Sequence, residues 1–406
     1  MKRLFLGLAS VLVLAACGNG DTAGSGDSAD KVKIRFSTWD SESSLDAQQA
    51  LVDKFNDSQE DIEVLLEGYG GEYDTKITAG MGAGDAPDVM YMWNYPAYSG
   101  GLEPLDSYIE SEGADYKENF YETTWNYNSI DDTIYGIPVG FTTHALYYNK
   151  DLFDAAGVDY PTNDWTWDDV REASEKISNA DENVYGYIMP GKPDPYDFEM
   201  YLWSNDTAYA SEDGETTDGY VNSPEAVEVL QTFQDMMNDN LALASESWGT
   251  DEFSSQTAAM VVSGAWDIGS FNEAGLNFGT AAIPSFEGQE SKSVLSSSGL
   301  AISADSKNKD AAWEFVKFWT NEEANIERID YELSVLKSVV DSEGLEEDEY
   351  KSVFYEMLER SSEYGPSSFN IENWSDFADQ LSMAFEQVFN PTTRVSPQEA
   401  LDSVVK

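Results

Sequence analysis

Few residues in this chain are of a type and spacing that could do chemistry, and most of those suit binding better than catalysis. Ser37-Thr38-Trp39-Asp40 closes one apolar run and Met92-Trp93-Asn94-Tyr95 closes another. Gly140-Phe141-Thr142-Thr143-His144 separates the runs Tyr135–Val139 and Ala145–Asn149. An indole plate beside a carboxylate or carboxamide can hold a small solute, because the ring covers an apolar face and the polar group fixes its orientation. Covalent chemistry has little support. Phosphate-binding GxxxxGK[ST], nucleophile GxSxG and zinc-binding HExxH patterns are missing. The chain has 77 acidic residues, so carboxylate pairs arise everywhere by chance and none is assigned as an acid–base pair. No DxDxDG calcium loop is present. No metal and no cofactor is expected.

The scaffold for these groups is large. With 406 residues, 41% of them hydrophobic, the chain predicts two domains, each with its own core. Its formal net charge is −55. Such a surface repels a phosphate backbone, which excludes nucleic acid as a partner, and it disfavours anionic ligands. The excess reads as a solvated acidic coat suited to a saline or alkaline exterior.

Periodicity orders the elements. Lys31–Trp39 alternates as a strand, Ser43–Asn56 has helical spacing, and Asp61–Leu66 is a second strand. Glu72–Met81 reads as a helix and Asp88–Trp93 as a third strand. This βαβαβ order predicts an α/β lobe with a mainly parallel sheet, whose ligands sit outside the strand C-terminal ends. Trp39, Asp40, Trp93, Asn94 and Tyr95 occupy those ends. Pro138 keeps Tyr135–Val139 from being a central strand throughout, and a break over 140–144 suits a chain crossing to a second lobe. Phe141, Thr142 and His144 would then face the cleft. Further on, Asp164–Ser178 predicts a capped helix, Tyr185–Met189 a strand, and Ser223–Asn238 a helix with Ser223 as cap and Pro224 at its first position. Asn277–Pro284 and Val294–Ser303 are strand-like, and Lys307–Trp319, Glu346–Arg360 and Trp374–Phe389 are helical. Trp313 and Trp319 fall at core spacing.

The N-terminus has its own logic. Met1-Lys2-Arg3 is basic, and Leu4–Leu14 is apolar but too short to span a bilayer as a stable helix. Leu14-Ala15-Ala16-Cys17-Gly18 resembles the lipobox of bacterial lipoproteins, which implies a signal peptide over 1–16 and a lipid on Cys17. Residues 17–30, rich in Gly, Ser and Asp, follow as a flexible tether. Cys17 is the only cysteine, so the fold has no intrachain disulfide, zinc–thiolate site or cysteine nucleophile.

The order of short segments carries a resemblance across residues 31–406. It runs through Ala83-Gly84-Asp85-Ala86-Pro87-Asp88, Gly101-Leu102-Glu103-Pro104-Leu105, Tyr135-Gly136-Ile137-Pro138 and Tyr148-Asn149-Lys150-Asp151-Leu152-Phe153. Thr166-Trp167-Asp168-Asp169, Thr257-Ala258-Ala259-Met260 with Gly264-Ala265-Trp266, and Ser298-Gly299-Leu300-Ala301 complete it. This resembles the extracellular solute-binding proteins of ABC importers, in the sugar-binding family that includes maltose-binding proteins. Ser255 stands where that family usually has glycine, and Ser297-Ser298-Gly299 replaces its frequent Gly-Gly pair. The resemblance implies a two-lobe, periplasmic-binding-protein-like α/β fold with a ligand cleft between lobes. Lobe 1 would be 31–140 plus 297–340, and lobe 2 would be 141–296 plus 341–406. It also implies a monomer held outside the cell membrane, delivering a carbohydrate to ABC permease subunits.

The same resemblance implies further site residues. Trp266 takes the family's ligand-facing tryptophan position. Tyr196, Asp197 and Trp203 lie in its loop–helix contact segment, Ser298 and Gly299 at the second crossing, and Trp374 at its late tryptophan. Trp248, ahead of a helix start, joins them. Two other readings stand beside the sugar. The same fold could take a cationic solute such as a quaternary amine in an aromatic cage. A surface glycoside hydrolase with two acidic catalysts is the third reading, and the order of segments argues against it.

Overall fold

The protein is described here from a computed structural model, which covers residues 31–179, 182–392 and 394–405. The lipobox, Cys17 and the tether lie outside the described residues.

Two sheets organise the described chain. The first has the strand order Leu333–Ser334, Ile137–Thr142, Ser296–Ile302, Val89–Met92, Val32–Thr38, Ile62–Gly68. Val32–Thr38 runs parallel to both of its neighbours, whereas Ser296–Ile302 is antiparallel to Val89–Met92 and to Ile137–Thr142. The sheet is therefore mixed rather than mainly parallel: the antiparallel strands return from late in the chain, which the local βαβαβ reading could not register. Alternation in the first strand holds at its centre and fails at its ends, where Val32 is exposed and Ser37 and Thr38 are both buried. Ile34 and Phe36 are buried, while Arg35 points outward to Glu67 at 2.7 Å. Phe36 packs on Phe315 and edge-on to Trp319. Trp313 and Trp319 are both core residues of the helix Lys309–Trp319.

The second sheet has the order Phe278–Ala281, His144–Asn149, Ala258–Gly264, Tyr185–Pro190, Ala242–Ser245. Its helices bring a second aromatic core, in which Trp167 meets Tyr187, Tyr201 and Phe233 edge-on. Trp167 opens the helix Trp167–Ile177, capped by Thr166 with a reciprocal bond from Asp169 rather than starting at Asp164. Ser223 caps Pro224–Asn238 through Ala226 N, with Pro224 at its start.

The crossing between sheets is tighter than the sequence suggests. Residues 140–142 belong to the first-sheet strand and His144 to the second-sheet strand, so only Thr143 lies between. Its hydroxyl donates to Phe354 O at 2.8 Å, which fixes the turn. Pro138 is tolerated because Leu333–Ser334 pairs only with Phe141 and Gly140, leaving the proline stretch open on that side. On the other side it faces Gly299, at a register shift.

Candidate functional site

Two neighbouring cavities meet at one indole. The smaller, about 200 Å³, is floored by the crossing residues Phe141, Thr142 and Ser296–Ser298 and flanked by Trp39, Trp93 and Tyr331-Glu332-Leu333. The larger, about 470 Å³, belongs to the second sheet, where His144, Met189, Asp197, Tyr201, Trp248 and Val262 face it. Trp266 lines both. Its position follows from its neighbours: a Cβ on Gly264 would lie 2.3 Å from the indole, so only glycine lets the ring fold back across the strand end. Ala265 N then donates to Thr142 Oγ1 at 3.1 Å, tying this turn to the crossing.

The tryptophans separate into two kinds. Of the 11 in the chain, only Trp93, Trp248 and Trp266 are exposed, at 43%, 58% and 55%. All three line these two cavities. Water-exposed indoles are costly and rarely gather without a partner. Trp39 is half-buried, edge-on to Tyr73 and Tyr91.

The polar groups differ sharply between the cavities. Glu332 is fully engaged: Arg328 Nε donates to it at 3.0 Å and Ser298 Oγ at 3.0 Å. Arg328 is itself buried, stacked over Trp319 and bonded to Trp319 O at 2.7 Å. In the larger cavity, Asp194 caps a helix by accepting from Tyr196 N at 2.8 Å, and Asp267 accepts from Ser263 at 2.5 Å. Asp197 accepts no hydrogen bond from the described residues. His144 Nε2 stands 3.9 Å from it. Burial, with Asp194 nearby, pushes the Asp197 carboxyl up to about 7. His144 is 4% exposed, stands edge-on to Trp266, and has no partner at Nδ1. Burial pushes its imidazole down to about 4, so the ring is neutral at pH 7.

Several expected site residues lie elsewhere. Asp40 turns back into its own loop, accepting from Thr38 Oγ1 at 2.8 Å and from Gln48. Asn94 caps the short helix Tyr95–Tyr98 through Ala97 N. Tyr95 is a core residue bonded to Asn128. Gly299 is packed too closely to meet a solute, since a Cβ there would lie 2.4 Å from the Tyr95 hydroxyl. Tyr196 donates to Leu295 O at 2.6 Å and Trp203 packs on Tyr364, both outside the two cavities. Trp374 sits against Tyr209 and Phe377. Asp40, Asn94 and Tyr95 were placed by local sequence context, and Gly299, Tyr196, Trp203 and Trp374 by the family resemblance; neither says which way a side chain turns.

Other lining residues were missed. Met189 and Pro190 end a strand that runs parallel to both neighbours, so the strand-end rule used for Trp39 and Trp93 could have found them. Glu332 and Tyr331 had no local signal, because only the pairing of Leu333–Ser334 on the crossing strand brings them there. Among the described residues, no cluster of three His, Cys, Asp or Glu side chains could hold a metal ion, and no helix is long and apolar enough to cross a membrane.

Comparison with known proteins bears on the family and the fold. The family described as bacterial extracellular solute-binding protein matches residues 39–326. A putative binding protein of Brucella abortus is 28% identical over 256 residues, 60% of this chain and 60% of that protein. The alignment thus spans about 60% of that relative's length. A galactooligosaccharide-binding protein of Bacillus subtilis is 24% identical over 412 residues, covering 97% of this chain and 93% of its own. An ABC substrate-binding protein from Listeria monocytogenes, solved in complex with cycloalternan, superposes with a TM-score of 0.78 at 27% identity, covering 92% of this chain and 97% of its own. The two-lobe architecture is the one these proteins share.

Proposed function

The chain belongs to the bacterial extracellular solute-binding proteins, and from that premise we propose that it captures a carbohydrate between its lobes and delivers it to an ABC permease. The observation that carries this reading is the gathering of the three exposed tryptophans, Trp93, Trp248 and Trp266, on two adjoining cavities. Sugars present apolar C–H faces that stack on indoles, and hydroxyl edges that need polar partners. Together the cavities hold room for more than one sugar residue. Closure would turn the bodies about Thr143 and the returning strand at Ser296, bringing Trp93 toward Trp266. The ligand drives closure only through contacts made better in the closed state. The protein performs no chemistry on its cargo. Lipidation of Cys17 holds it on the outer face of the membrane, as a monomer.

A thermal-shift screen of the purified full chain tests this. The panel contains mono- and oligosaccharides, betaine-like cations and amino acids. A ligand at about 100 times its dissociation constant stabilises by about 2.7 kcal/mol, a readily measured rise in Tm. The expected result is a rise with a sugar that disappears in Trp266→Ala and shrinks in Trp93→Ala. A rise with betaine-like cations alone would replace the carbohydrate with an aromatic-cage ligand. Sugar hydrolysis abolished by one Asp or Glu substitution would overturn the non-enzymatic reading.

A further inference from the structure

The larger cavity asks for more than a neutral hydroxyl. The side chains of two of its polar lining residues, Asp197 and His144, have no hydrogen-bond partner among the described residues, apart from their 3.9 Å approach to each other. The neighbouring carboxylates are already used, Asp194 as a helix cap and Asp267 by Ser263. No lysine or arginine is among the residues lining either cavity. Lys192, adjacent in sequence to the lining residue Pro193, turns away to Glu386 at 3.6 Å. An ionised Asp197 only accepts, and a neutral imidazole carries one N–H that donates and one nitrogen that accepts. At this pair acceptors outnumber donors, and no positive charge lines the cavity. A hydroxyl supplies one donor and no charge, whereas an ammonium supplies three donors and the missing charge. The walls agree with a cation, because Trp266, Trp248 and Tyr201 present aromatic rings to the same space.

We propose that the cavity beneath Trp266 receives a sugar residue bearing a protonated primary amine, held by the Asp197 carboxylate and the acceptor nitrogen of His144. This rests on the carbohydrate reading above and narrows it to amino sugars. The 28% of the Asp197 side chain that remains accessible opens onto the cavity where such a group would arrive. An N-acetylated or anionic sugar is disfavoured at that position: the first lacks the charge, and the second meets carboxylates with no cation to answer it.

Calorimetric titration of the full chain with matched sugars tests the proposal. The sets are glucose, glucosamine and N-acetylglucosamine; the galactose and mannose equivalents; and cellotetraose, chitosan tetraose and chitin tetraose. Titrations run at high salt, so that attraction of any amine to a surface of net charge −55 is screened out. In at least one set the amine should bind at least tenfold more tightly than both counterparts. Asp197→Asn should reduce that preference to within about threefold while leaving the fold intact by circular dichroism. Equal or weaker binding of every amine than of its hydroxyl counterpart overturns the proposal and leaves the carbohydrate reading standing. An amine preference unchanged in Asp197→Asn also overturns it, since the charge would then be read elsewhere. If no member of any set binds, the carbohydrate reading falls with it.

Discussion

Two carboxylates face adjoining cavities and live under opposite regimes. Glu332, beside the crossing, is bonded by Arg328 and Ser298. Asp197, which lines the same cavity as Trp266, accepts no hydrogen bond from the described residues and has a neutral imidazole at 3.9 Å. The same functional group is therefore part of the architecture in one cavity and an unmet demand in the other. Lining a cavity does not by itself make a residue a ligand contact. What matters is whether the protein has already satisfied it, because an unsatisfied buried polar group costs stability that only a ligand can return.

The largest expected effect is on the satisfied side. Arg328→Ala removes the buried partner of Glu332 and the cation stacked on Trp319. Breaking such a pair should cost about 3–5 kcal/mol of stability, seen as a large drop in Tm by calorimetry. A loss under about 1 kcal/mol would mean that Glu332 is no more structural than Asp197, and the contrast would collapse.

On the unsatisfied side the sign reverses. The Asp197 carboxyl rises from its usual range to about 7. Between pH 4 and 7 the native state keeps a proton that the unfolded chain has released, so this residue's contribution falls as pH rises and its full cost is present above 7. Asp197→Asn should therefore be more stable than the parent at pH 8, by roughly 1–3 kcal/mol, and the difference should vanish near pH 4. His144, lowered to about 4, acts in the opposite direction: its contribution grows as pH rises from about 4 to 6.5. The Asn variant, relieved of the opposing term, should gain stability with pH more steeply than the parent over that window. Thermal melts across pH 4 to 8 decide it. A variant less stable than the parent at pH 8 would show that Asp197 is satisfied after all.

The smallest effect separates the tryptophans. Trp374→Ala should leave sugar affinity within about twofold, because that indole packs on Tyr209 and Phe377 rather than on a cavity. Titration of Trp374→Ala beside Trp266→Ala makes the comparison. A loss as large as that of Trp266→Ala would return Trp374 to the site.

Much was readable from the chain alone wherever the signal is local. The strand within Lys31–Trp39, the cap at Ser223 with Pro224 behind it, and the core spacing of Trp313 and Trp319 depend on neighbours within one or two turns, and the structure has each of them. Trp39 and Trp93 could be placed beside a cavity because ligands of such sheets bind outside the strand carboxyl ends. The order of short segments was enough to indicate two lobes. Side-chain direction was not readable. Asn94 and Asp40 sit at the right strand ends, but their polar groups bond back into their own loops. Tyr95 is only two residues from Trp93 yet lies in the core. The partners of Glu332 and the want of partners at Asp197 are likewise tertiary facts. The sequence determined which stretches form strands and which form helices, because that choice is settled by backbone propensity and periodicity over a few residues, while boundaries such as the helix start at Trp167 rather than Asp164 shifted. Only the folded chain decided which carboxylate is answered and which waits, because hydrogen bonding and desolvation depend on groups tens to hundreds of residues apart.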